Sequence, residues 1–248
     1  MAIQSDRSTE RRLFIMLAAL GLIGCASLLL VPFEKLLPAG LDYSPLAFRA
    51  LSLINPVVLL LVIGGVGSWL APRTGLDAPL IRAWLTGQPL AQILRRQFIP
   101  ALAVGAAVAV VLVAFAAIST PWFANTIAAS FDIPLLPRLL YGGATEEIVC
   151  RWGLMTMFVW LLLKTKASGN LPYIAGAVAA ALLFSAGHLP MLFLLVESPN
   201  AVMIAAIILG NFVPGFLFGI LFWKRGLESA IMAHALAHFL AWTVSLIA

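Results

Sequence analysis

The sequence predicts an all-α fold, a polytopic transmembrane helix bundle of seven to eight spans with an amphipathic interfacial segment between the second and third. Three observations predict it. Hydrophobic residues fill 62% of the 248 positions and charged residues 10%, against roughly 25% charge in a soluble domain. Such a chain cannot cover itself with polar surface, so lipid takes that place. Apolar runs of about 20 residues, the length that crosses roughly 30 Å of hydrocarbon, recur along the chain. The few charges gather between those runs.

The first run, near 13 to 32, follows Arg7, Arg11 and Arg12. It resembles a basic-led signal peptide, but it is long, lacks a small-residue cleavage site and precedes six more runs, so a retained anchor is expected. Further spans are expected near 47 to 70, 100 to 119, 137 to 163, 172 to 195, 201 to 223 and 227 to 247. From Ala71 to Gln97, Arg73, Arg82, Arg95 and Arg96 alternate with Leu76, Leu80, Ile81, Trp84, Leu85, Leu90, Ile93 and Leu94. That pattern predicts one or two short interfacial helices, the first starting near Pro79, with a break near Gly87 and Pro89. No linker divides the chain, so residues 1–248 form a single membrane domain, with N-terminal spans in 1–134 and the site-bearing core in 135–248.

With a cytoplasmic N-terminus, 11 of the 15 Lys and Arg residues fall on the inside and only Lys35, Arg49 and Arg138 lie outside. This bias predicts N-in and C-out. The formal charge of +5 therefore reads as topology, not as nucleic-acid binding. Cys25 and Cys150 lie in separate apolar runs without metal spacing, which indicates packing.

The informative residues are ionisable groups inside apolar runs. Glu146, Glu147 and Arg151 occur in YGGATEEIVCRWG, His188 in LLFSAGHLP, and His234 with His238 in ESAIMAHALAHF; these are all three histidines. A charge at the bilayer centre costs about 2.5 to 3.5 kcal/mol on the insertion scale, so such groups face the bundle interior and mark function. Glu147 and Arg151 are i, i+4 neighbours in the favourable order for an ion pair. Glu146 points about 100 degrees away on an α-helix, free for another partner. His234 and His238 also share one helix face. Pro190 removes a backbone donor beside His188, and Gly142 with Gly143 permits close helix approach or a break. Each residue also has a purely structural reading: Glu147 and Arg151 as a buried ion pair, His188 and His238 as packed core groups, and Phe184, Trp152 and Trp160 as packing or interface anchors.

At these residues the chain resembles the CAAX prenyl protease 2 and bacteriocin-immunity (Abi-like) family of membrane proteins, abbreviated CPBP. The first motif matches Glu146, Glu147 and Arg151, and the second matches Phe184 and His188. The third matches His234 but has His238 where asparagine or aspartate is usual. The lead-in from Gly215 through Gly219, Arg225, Gly226 and Leu227 is also similar. The resemblance spans roughly residues 135 to 245.

The resemblance implies a prokaryotic plasma-membrane enzyme that hydrolyses a peptide bond within the bilayer. Its substrate would be a peptide or membrane protein, a prenylated tail being one class. It implies Glu146 as general base, His188 as a second holder of the water, and His234 with His238 as oxyanion donors. Glu147, Arg151 and Phe184 would support them. No cofactor is favoured. The alternative is zinc on Glu146, His188 and His234, although no HExxH helix is present. Two other classes stay open: an inactive immunity or partner protein of the same fold, and a proton-coupled transporter using the same buried groups.

Overall fold

The computed structural model describes residues 6–36, 44–123 and 132–247. Among them the secondary structure is helical throughout, and five stretches are long and apolar enough to cross a membrane: Arg7–Leu30, Pro45–Arg73, Ala91–Trp122, Leu171–Leu195 and Ala201–Arg225. The chain is an integral membrane protein. Its helices are α1 (Arg7–Ser27), α2 (Pro45–Ser52), α3 (Ile54–Leu70), α4 (Pro79–Leu85) and α5 (Ala91–Phe123). There follow α6 (Leu135–Pro137), two π-helical stretches, π1 (Arg138–Glu146) and π2 (Ile148–Met155), and α7 (Thr156–Lys164). The last four are α8 (Leu171–Ala186), α9 (Leu189–Leu195), α10 (Ala201–Arg225) and α11 (Leu227–Ser245).

The helix after the first loop begins as expected at Pro79, and Gly87 takes the left-handed backbone, φ +67°, that ends it. Of the one or two short helices expected there, one forms, Pro79–Leu85. Ala91–Gln97 continues into α5, a single helix of 33 residues, because Pro100 is accommodated within the helix. In the run expected near 172 to 195, Pro190 does more than bend the helix: α8 stops at Ala186, and α9 restarts at Leu189 with the proline in its first turn, where its missing N–H costs nothing.

One end of the bundle is tied by polar contacts. Arg82 pairs with Glu10 at 2.7 Å and Asp77 at 2.8 Å, joining α4 to the start of α1. Tyr173 Oη donates to the Thr74 carbonyl at 2.8 Å, and its ring stacks on Trp223 at 5.0 Å. Glu228 at the start of α11 accepts from the Ile81 N–H at 2.8 Å and from Gln97 Nε2 at 3.0 Å. The joint between α10 and α11 is Gly226, φ +98°, whose backbone an L side chain rarely adopts.

In the middle, α11 lies along α5 and against π1, α10 lies along α8, and α1 and α3 flank the two π-helices. Thr145 Oγ1 donates to the Gly21 carbonyl at 2.8 Å, so π1 meets α1 through a buried hydrogen bond. Trp152 is fully buried and donates to Ser68 Oγ at 2.8 Å, pinning π2 to α3. Each satisfies a polar group that would otherwise be stranded away from water.

Candidate active site

The π-helices explain how the glutamates are presented. Winding i→i+5 widens the turn and shortens the rise, a feature that concentrates at functional sites. Glycines allow the neighbours in. A Cβ on Gly143 would sit 2.9 Å from Ala235 Cβ and 3.1 Å from Ala235 Cα, and one on Gly142 would sit 3.1 Å from His238 Nε2. Glycine at these two positions therefore lets α11 lie directly on π1, which carries its histidines to the glutamates.

Glu147 is completely buried and lies between two partners. Its Oε1 is 2.9 Å from Arg151 Nη1 and accepts from His234 Nδ1 at 2.7 Å. Arg151, 1% exposed, also donates from Nη2 to the Gly215 carbonyl at 2.9 Å. Its guanidinium stands over Phe184 at 5.1 Å and Phe218 at 5.5 Å. Those rings in turn touch the two histidines: Phe184 meets His188 edge-on at 4.7 Å and Phe218 stacks on His234 at 4.6 Å. Arg151 is thus charge-paired on one side and faced by aromatic rings on two others.

Because a carboxylate accepts, His234 holds its proton on Nδ1 toward Glu147. Its Nε2 lies 3.1 Å from His238 Nε2, so one proton is shared between those two atoms. Both nitrogens of His234 are therefore engaged.

Glu146 and His188 occupy a different place. They line a cavity of about 280 Å³ together with Tyr141, Cys150, Phe184 and apolar side chains of α3, π2 and α8, and its lining includes neither His234 nor His238. At the break after α8, the His188 N–H bonds back to Ser185 O at 3.1 Å instead of Phe184 O. The freed Phe184 carbonyl accepts from His188 Nδ1 at 2.8 Å. That fixes the ring with Nε2 as an open acceptor. The cavity runs between Pro56, Leu59 and Ile63 on one side and Leu183 through His188 on the other; Leu59 is 41% exposed and Leu183 49%.

The expected residues thus fall into two adjoining groups: Glu146 with His188 on the cavity, and Glu147, Arg151, His234 and His238 behind it. Among the described residues no three His, Cys, Asp or Glu side chains are grouped as a metal ion would need. In this structure His234 spends Nδ1 on Glu147 and Nε2 on His238. Sequence reasoning missed Tyr141 and Phe218. Phe218 carries no signal beyond hydrophobicity; Tyr141 lies five residues before Glu146, a spacing that an α-helix would turn away by roughly 140 degrees.

The fold and this buried Glu–Arg–His system define a helical membrane protein with ionisable chemistry inside its bundle, the class in which intramembrane hydrolases fall. Residues 129–240 match the family model described as type II CAAX prenyl endopeptidase, Rce1-like. That part of the chain, which carries Glu146, Glu147, Arg151, His188, His234 and His238, is similar to this CAAX protease family. No curated protein and no solved structure matches the chain.

Proposed function

We propose that the chain is an intramembrane endopeptidase that cleaves a peptide bond with water activated by Glu146 and His188. The observation that carries this reading is that a carboxylate and an open imidazole nitrogen share one largely apolar cavity. A water there gives one proton to Glu146 and directs the other at His188 Nε2. Its oxygen is left to attack the scissile carbonyl. Glu146 then returns the proton to the departing amine, and the C–N bond breaks. Apolar walls keep competing water out and strengthen each polar contact.

Glu147 and Arg151 hold His234, and His234 holds His238. The oxyanion role that the resemblance gives the two histidines requires their mutual 3.1 Å bond to open; closed, they position the glutamates. We read the topology as seven passes, the broken 138–164 segment and α11 adding to the five long apolar stretches, with α4 interfacial and the N-terminus cytoplasmic. The substrate class is a peptide or membrane protein reaching the cavity between α3 and α8, a prenylated tail among the candidates by the family's description.

The test is cleavage of quenched fluorescent peptides by protein in nanodiscs. Glu146→Gln and His188→Ala should each lose about 10²–10⁴-fold in rate, with unchanged thermal unfolding. Cleavage retained by both folded variants sinks the proposal. Chelator-treated protein should cleave normally; loss restored by zinc alone would reinstate the metal reading.

A further inference from the structure

We propose a second binding site, away from the glutamates, that takes the phosphate headgroup of an anionic phospholipid in the cleft where α5 starts and α10 meets α11. It rests on the fold and its charges and stands whether or not the chain cleaves peptides. The cleft holds about 280 Å³ and is lined by three parts of the chain: the 75–79 segment leading into α4, the first turns of α5, and the α10–α11 joint at Gly226. Pockets for drug-sized ligands occupy roughly 300–1,000 Å³. This one suits a headgroup.

Its charge is lopsided. Arg96, Lys224 and Arg225 line it against a single carboxylate, Asp77, which Arg82 already holds at 2.8 Å. Arg49, Arg82, Arg138 and Arg151 each pair with a carboxylate, whereas Arg96 and Arg225 pair with none among the described residues. Lys224 Nζ stands over the Trp223 ring at 3.3 Å, a contact that orients the ammonium without cancelling its charge. Three cations brought by two helices to one cavity repel each other until an anion joins them.

The floor of the cleft is fixed by the protein itself. Gln97, 1% exposed, donates from Nε2 to the Arg225 carbonyl at 2.9 Å and to Glu228 Oε2 at 3.0 Å. Gly226 lets the joint close in, since a Cβ there would collide with the Pro79 ring. The backbones that carry Arg96 and Arg225 therefore keep a set separation. The surroundings favour lipid over a free anion as the source of the phosphate. Phe98 and Ile99, which follow Gln97 on α5, are 48% and 64% exposed and offer acyl chains a surface beside the cations. Basic pockets between transmembrane helices bind anionic headgroups in this way.

The experiment titrates the full chain in detergent with dioleoylphosphatidylglycerol, dioleoylphosphatidylcholine or inorganic phosphate, read by native mass spectrometry and thermal unfolding. Phosphatidylglycerol should bind more tightly than phosphatidylcholine and raise the unfolding temperature. R96Q and R225Q should each weaken it about 5-fold and the double variant about 25-fold. R95Q, which removes a charge from the same turn but not from the lining, should bind as wild type does. If the double variant does not fold, K224Q carries the same expected 5-fold loss. Equal affinity for the two lipids overturns the site, and so does an R95Q loss as large as that of R96Q, which would show diffuse attraction to a basic surface. Stabilisation by inorganic phosphate that phosphatidylglycerol does not exceed overturns the lipid assignment in favour of a soluble anion.

Discussion

Glu147 and His234 are 87 positions apart in the chain, yet their side chains meet at 2.7 Å inside the bundle. Glu147 carries the positive partner Arg151 on the same oxygen, at 2.9 Å. Its neighbour Glu146 belongs to the cavity instead. Adjacent carboxylates therefore predict opposite phenotypes.

Glu147→Ala leaves the Arg151 guanidinium buried without its carboxylate and His234 Nδ1 without an acceptor. Breaking such a pair costs about 3–5 kcal/mol. The variant should unfold at markedly lower temperature in detergent, whereas Glu146→Gln should match wild type. Equal unfolding temperatures for Glu147→Ala and wild type would show that the ion pair is not structural.

His238 stands where the motif that this chain resembles has an amide or carboxylate. An asparagine side chain can donate to His234 Nε2 as the imidazole does. His238→Asn should therefore keep most stability and activity, and His238→Ala should lose about 0.5–1.5 kcal/mol. Nitrogen-15 NMR of His234 provides the check: Nδ1 should remain the protonated atom in the asparagine variant.

Gly143→Val would place a branched side chain where even a single Cβ approaches Ala235 Cα to 3.1 Å. Alpha11 must then move off π1. Overpacking of this kind costs about 1–3 kcal/mol, and here it also separates Glu147 from His234. Gly215→Ala is milder, since its nearest contacts, Ala181 Cβ and Arg151 Nη2, are at 3.3 Å. Comparing the two by unfolding and by peptide cleavage should rank Gly143→Val as the more damaging on both.

Glu34, in the turn after α1, is paired with Arg49, which holds its carboxyl down to about 2 from an ordinary value of 4.5. A depressed carboxyl stabilises the fold fully above the unfolded value and ceases to do so as pH falls through about 2. The advantage of wild type over Glu34→Gln in unfolding temperature should be small, constant above pH 5.5 or so by the same linkage, and shrink as the solution is acidified from there. An unchanged difference at pH 3 would contradict the pairing.

Sequence made the helical membrane architecture legible because hydrophobic run length alone reports on lipid, and the Glu147–Arg151 pair was legible because i, i+4 geometry is local. The contact between Glu147 and His234 was not, since nothing local encodes a meeting across 87 positions. The i→i+5 winding of Arg138–Glu146 and Ile148–Met155 was not legible either, since it has no compositional mark. Likewise the continuity of Arg95 and Arg96 with the long helix α5 was not legible, because charge alternation alone does not show where a helix ends.

Leu59 and Leu183, both substantially exposed, border the space in front of Glu146 and His188. A reactant arriving past them comes from the acyl chains, so its abundance is set by partitioning rather than by the aqueous volume. Saturation should then follow the mole fraction of peptide per lipid: adding empty vesicle lipid at constant total peptide should slow turnover, while adding buffer at a fixed peptide-to-lipid ratio should leave it unchanged.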